Sequence, residues 1–136
     1  MQEVVLRGRG IVEGCCEGEA LVSAQPISFL GGVNSINGKI ISKNHDLYGK
    51  FVKDKVLCFP HGSGSTVGSY VLYSLAKRKL APKAIINQKA DPVVVVGAVI
   101  AKIPMIDGID IQQIASGDIV KVDAFRGFVK IVKLRR

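Results

Sequence analysis

Cys58-Phe59-Pro60-His61-Gly62-Ser63-Gly64-Ser65-Thr66-Val67-Gly68-Ser69-Tyr70-Val71 is the stretch whose reading decides the fold. It grows out of a short apolar run, Val56 to Phe59, that reads as a buried strand. Past the glycines, Val67, Tyr70, Val71, Ser74 and Leu75 recur at helical spacing, and the pattern lasts to about Lys79. The reading is strand, glycine-rich turn, helix. Such a turn leaves backbone N–H groups at a helix N-terminus, where they and the helix dipole favour negative charge. Ser63 and Ser65 set two hydroxyls among those donors. From the residues alone a structural role reads equally well: Ser65 or Thr66 caps the helix and glycine makes the turn. Yet three glycines, three serines and a threonine fall between Gly62 and Ser69, more than a simple turn needs.

Downstream, Pro82 punctuates the end of the helix, and Ala84-Ile85-Ile86-Asn87 reads as a second buried strand parallel to the first. Together they make a right-handed βαβ unit. Units of this kind hold ligands beyond the C-terminal ends of their strands, where Ser65 and Asn87 both fall. Asp91-Pro92 precedes the run Val93 to Ala101. Four valines favour a strand, but an Asp cap, Pro at the first helical position and the length of the run predict a helix. Ile103 to Ile106 reads as a short strand, Ile111 to Ala115 as a helical turn, and Ile119–Val122 and Phe128–Val132 as the closing strands.

Upstream, Val4–Leu6, Ile11-Val12, Ala20–Val22 and Ile27–Leu30 are short apolar pieces punctuated by glycine. Asn37-Gly38 is a hairpin signal, with Lys39–Ser42 as the returning strand. His45 to Lys53 is polar and loop-like. The first half thus reads as a small barrel or sandwich layer. The fold class expected is α/β, a barrel-like β part with helices packed on one side. Residues 1–136 form one domain with no internal repeat and no linker.

Composition narrows the function. Hydrophobic residues make up 48% and aromatic residues 6%, so the core is built of Val, Ile, Leu and Ala. A mean hydropathy of +0.30 is high for a lone soluble domain and points to an apolar face that meets a partner. The net charge of +8 admits an anionic substrate or an acidic surface. Its densest groups, Lys77-Arg78-Lys79 and Lys130 to Arg136, have no interleaved aromatics on which bases would stack, so nucleic acid is not the expected partner. Cys15, Cys16 and Cys58 form no CxxC, and His45 and His61 have no ligand-spaced neighbours. No metal site is expected in this chain. Reduced thiols in a cytoplasm fit the cysteine pattern, and no run is long enough to span a bilayer.

Five pieces occur in order: Gly18-Glu19-Ala20-Leu21-Val22, Ile27 to Val33, Phe59 to Leu72, Ala81 to Asn87, and Ala101-Lys102-Ile103-Pro104. Together they resemble the aconitase X swivelling-domain family over nearly the whole chain. The resemblance implies a swivelling β/β/α domain. It implies a hydro-lyase that removes water from (R)-5-phosphomevalonate to give trans-anhydromevalonate 5-phosphate, in the archaeal mevalonate route to isoprenoids. It implies a large catalytic subunit carrying an iron–sulfur cluster, with no cofactor in this chain. The family's proton acceptor is the serine of a Gly-x-Gly-Ser-Thr motif, which here reads Gly62-Ser63-Gly64-Ser65-Thr66, so that role falls on Ser65. Gly62, Ser63, Gly64, Thr66 and Asn87 are the candidates for binding substrate or stabilising an oxyanion.

The residues agree with this chemistry. Dehydration beside a carboxylate needs a base at the α-carbon, and serine is a weak base unless its alkoxide is stabilised. Amides from Gly64 to Val67 are placed to do that. Three other readings compete. A Walker-type nucleotide loop lacks its lysine here. A phosphohistidine-type swivelling carrier would use His61. A non-catalytic binding or scaffold module would use only the apolar face.

Overall fold

The computed structural model describes residues 2–133. The last three positions of the basic group Lys130–Arg136 lie outside the described residues. The strands are β1 (Gln2–Arg7), β2 (Arg9–Val12), β3 (Cys15–Val22), β4 (Val56–Phe59), β5 (Ala84–Asn87), β6 (Met105–Asp107), β7 (Ile119–Asp123) and β8 (Phe128–Lys133). A single helical turn, α1 (Phe29–Gly32), precedes two ten-residue helices, α2 (Gly68–Lys77) and α3 (Pro92–Ala101). A 3-10 turn covers Ile111–Gln113.

All eight strands join one sheet in the order β1-β8-β7-β3-β4-β5-β6-β2. The central run β3-β4-β5-β6 is parallel, and its flanks are antiparallel. Only Gly8 separates β1 from β2, yet these strands stand at opposite ends of the order. The sheet therefore curls until its two ends meet at Gly8. The Gly8 N–H donates to Gly127 O at 2.8 Å, and a Cβ on Gly8 would collide with the Asp107 carbonyl. β1 and β2 are thus the two rims of one curled sheet, while β3 stands at its centre.

Alternation divides the core in two. Val56 and Cys58 of β4, Ala84 and Ile86 of β5, and Ile106 of β6 pack with Val120, Val122, Val129 and Ile131 of β7 and β8. Leu57, Phe59, Ile85 and Met105 point the other way, onto Val71, Leu72 and Leu75 of α2 and Val94 and Ala98 of α3. Strands covered on both faces have no solvent side to mark with polar residues, which is why β4 and β5 read as unbroken apolar runs. The layers are β, β and α.

The helix expected over Val93–Ala101 forms, with the Asp91 carboxylate accepting from Val93 N and Val94 N at 2.9 and 3.4 Å. The strand expected at Lys39–Ser42 does not. That segment makes only the isolated bridges Val33↔Ile40 and Lys39↔Phe51. The Asn34 side chain accepts from Ile36 N and Asn37 N at 2.8 and 3.2 Å, and this local turn takes the chain round without a ladder.

Candidate active site

The turn after β4 is held from two sides. Ile27 bridges Gly62 in parallel, with Ile27 N donating to His61 O at 3.3 Å and Ser63 N to Ile27 O at 3.1 Å. Gly64 has φ +87°, and a Cβ there would run into Ser28 Oγ. An L side chain at this position would therefore be strained twice over. Gly62 lies against Val94 and the Asp91 carboxylate at the start of α3. The two motifs Ile27–Val33 and Phe59–Leu72, far apart in sequence, are thus one constellation.

Ser65 is exposed. Its Oγ accepts from Val67 N at 3.2 Å, and its carbonyl accepts from Gly68 N at 2.9 Å to open α2. The N–H groups of Gly64, Ser65 and Thr66 make no hydrogen bond among the described residues. Three consecutive open amides beside an exposed hydroxyl are suited to an oxyanion or alkoxide. Thr66 O is already taken, by Ser69 N at 3.3 Å and Ser69 Oγ at 2.9 Å. Ser69 is a buried helix-start hydroxyl, apart from the open face.

His61 is exposed and its Nδ1 stands 2.7 Å from Gly62 O. A carbonyl only accepts, so Nδ1 carries the proton. Asn87 has a different place from the one its position at a strand end predicts. It is 0% exposed, and its Nδ2 donates to Phe59 O at 2.9 Å and Ile86 O at 3.2 Å. Paired with Phe59 in register, it shares the helix-facing side of the sheet with Ile85. Asn87 ties the end of β4 in place and presents no open surface to a substrate. Its Oδ1 is left without a partner.

Ser63 neighbours Ser65 in the sequence, and the structure adds company that the sequence does not show. It borders a cavity of about 180 Å³ with Ser28, Ser42 and His45. No spacing in the sequence links residues 42 and 45 to the turn. The pairing of two glycine-rich motifs was the available signal for Ser28.

No group of three or more His, Cys, Asp or Glu side chains among the described residues is disposed to hold a metal. Burial pushes the Cys16 thiol up, and burial pushes Cys58 up much further, inside the core.

Beside the turn, α2 and α3 leave a groove of about 320 Å³ lined by Thr66, Val67, Tyr70, Pro92 and Val96. The sequence of α3 holds no polar side chain, yet Val96 is 50% and Val99 55% exposed. Val67, Tyr70 and Tyr73 extend this surface along α2. A helix apolar on all sides is normally covered on all sides. No helix among the described residues is long and apolar enough to cross a membrane.

A family model for the aconitase X swivel domain matches residues 5–131. The chain belongs to the aconitase X swivel-domain family. The phosphomevalonate dehydratase small subunit of Methanosarcina acetivorans is 47% identical to it over 136 residues, covering 98% of this chain and 94% of that one. The small subunit of the same name from Pyrococcus furiosus is 53% identical over 127 residues, 93% and 95% of the two chains. The crystal structure of Thermococcus kodakaraensis aconitase X in its holo-form superposes with a TM-score of 0.94 at 48% identity, over 96% of this chain and 99% of that one. The β/β/α layering expected of a swivel domain is the layering found.

Proposed function

We propose that this chain is the small subunit of a phosphomevalonate dehydratase, a two-subunit hydro-lyase of the archaeal mevalonate pathway. One observation carries the reading: small subunits of that name match it at 47% and 53% identity, each nearly end to end. The substrate is (R)-5-phosphomevalonate and the product trans-anhydromevalonate 5-phosphate. The iron–sulfur cluster that the family implies is assigned to the large subunit, and this chain's share of the chemistry is the proton.

Ser65 is the proton acceptor. The C–H pair at the α-carbon becomes the new double bond, the β-hydroxyl leaves with its own pair, and the proton passes to Ser65 Oγ. Before the transfer, that oxygen needs its negative charge stabilised. The Val67 N–H already points at it, at 3.2 Å. The free amides of Gly64, Ser65 and Thr66 add positive potential with no reorganisation. The apolar flank of α2 and α3, adjoining the turn, is the surface that docks on the large subunit and brings Ser65 to the bound substrate. The basic charge of +8 favours approach of a phosphorylated acid. Three unpaired cysteines suit a reducing cytoplasm.

The test is reconstitution. The chain co-purified with its large subunit dehydrates 5-phosphomevalonate, followed by NMR of the product, while the chain alone neither binds iron nor turns over. Turnover by the chain alone would overturn the two-subunit reading.

A further inference from the structure

We infer that the cavity between the Ile27–Gly32 motif and the Gly62–Thr66 turn is the subsite for the substrate's terminal phosphate, with the Ser63 and Ser42 hydroxyls as its donors. The inference rests on the dehydratase reading and adds to it the part of the chain that selects a phosphorylated acid.

The cavity, about 180 Å³, is walled by Ser28, Ser42, Ser63, Gly32, His45 and Ile40. Its polar atoms differ in what they are free to do. Ser28 Oγ donates to Leu30 O at 3.0 Å. His45 Nδ1 lies 3.1 Å from both Leu47 N and Asp46 Oδ1, and its Nε2 lies 3.1 Å from Pro26 O. Both are occupied and serve as fixed walls. The Ser42 and Ser63 hydroxyls, by contrast, make no hydrogen bond among the described residues. They come from segments twenty-one positions apart in the sequence and meet at one cavity. Ser42 and Ser63 are both exposed, and two O–H donors at the border of one open cavity are matched by an acceptor that brings several oxygens. A phosphate is such a group.

Placement favours the phosphate over the carboxylate. Ser63 stands two residues from Ser65, a span of at most ~7 Å. The carboxylate is bonded directly to the α-carbon from which Ser65 takes the proton, and so stays at Ser65. The phosphate sits at the opposite end of the carbon chain and needs a second pocket, a short step away. The chain's net charge of +8 offsets the lack of a lysine inside the cavity by long-range attraction.

The test uses the complex with the large subunit and two probes: inorganic phosphate, and acetate as a carboxylate without phosphate. Ser63→Ala and Ser42→Ala each raise KM for 5-phosphomevalonate by roughly ten-fold, the usual weight of a hydrogen bond to a charged group, and change kcat far less. Inhibition by inorganic phosphate weakens by the same factor, while inhibition by acetate is unchanged. An unaltered KM, a loss confined to kcat, or weakened acetate inhibition with phosphate inhibition intact overturns the assignment. Phosphate binding is also read without turnover, by phosphorus NMR line-broadening on the complex. If broadening depends on Ser63 and Ser42 in a complex that does not dehydrate 5-phosphomevalonate, the subsite stands and the reaction assignment falls. If broadening is the same in wild type and both variants, the subsite falls.

Discussion

The two long helices begin in opposite ways. At α3 the Asp91 carboxylate takes two backbone N–H groups, and Pro92 fills the first helical position with a residue that has no N–H to satisfy. At α2 the position before the helix is Val67, 49% exposed, with no side-chain cap of its own. Ser65 Oγ reaches one amide, and three more are left open to solvent. Both helices have ten residues and pack on each other. The first amides of α2, on Gly68, Ser69 and Tyr70, are taken by the carbonyls of Ser65, Thr66 and Val67, so the open donors belong to the turn that leads into the helix. Unsatisfied donors in the open cost little, because water serves them. They become valuable only when something anionic replaces the water. The comparison therefore sets a helix start closed by its own cap beside one whose entering turn keeps donors open for an anion.

The largest expected effect breaks the comparison at α2. Ser65→Ala in the reconstituted complex removes one exposed oxygen. The complex assembles and substrate binds, while the chemical step falls by roughly two to four orders of magnitude. Exchange of the substrate's α-hydrogen with solvent falls with it, since both need the same proton abstraction. Ser69→Ala, which deletes a hydroxyl bonded only to Thr66 O within the helix start, keeps the exchange rate. Exchange at the wild-type rate in Ser65→Ala would remove Ser65 as the base.

A second, smaller effect concerns the flank that the two helices share. Val96 lies half exposed on α3, at the groove beside Thr66 and Tyr70. Val96→Asp changes helix propensity little, so the chain alone keeps its stability to about 0.5 kcal/mol. Association with the large subunit weakens by about 2 kcal/mol or more, roughly thirty-fold in Kd, because a charge then sits in an apolar contact. Titration of the labelled chain with large subunit reads this directly. Unchanged affinity would move the docking surface elsewhere.

What the sequence made legible follows from range. Val56–Phe59 and Ala84–Asn87 were readable as strands because burial on both faces leaves an unbroken apolar run. Asp91-Pro92 decided helix over strand for four valines because a cap is a local signal. Ser65 was singled out through its motif, and the structure sets it on the exposed turn before α2. Lys39–Ser42 failed because Asn37-Gly38 reports only a turn, and a turn does not guarantee a ladder. The places of β1 and β2 were not legible, because nothing local in Arg7-Gly8-Arg9 tells that the two strands end up at opposite ends of one curled sheet. Asn87 ends β5, as its position implied, but is fully buried. Its alternation with Ile86, which faces the β layer, could have shown that it looks toward the helices. Ser42 and His45 carry no signal at all, since a cavity wall built from a distant loop has no period.

The smallest effect sharpens the contrast most, because it asks the two starts the same question. In chemical denaturation of the chain, Asp91→Ala loses two hydrogen bonds at a half-buried carboxylate, and stability falls by about 1 kcal/mol, as for other lost caps. Ser65→Ala loses one bond of 3.2 Å at an exposed oxygen, where water takes over, so the cost stays within about 0.5 kcal/mol. Asp91→Asn keeps an acceptor oxygen and recovers most of the loss. Turnover ranks the variants in reverse: Ser65→Ala is the more damaged enzyme and the more stable protein. Gly62 lies against the Asp91 carboxylate, so Asp91→Ala also loosens a wall of the turn and lowers the rate, but by less than the removal of the base. If the order is the same in both measurements, with Ser65→Ala the less stable and the less active, Ser65 is a cap whose loss melts the helix start. The division of labour between the two helices would then be refuted.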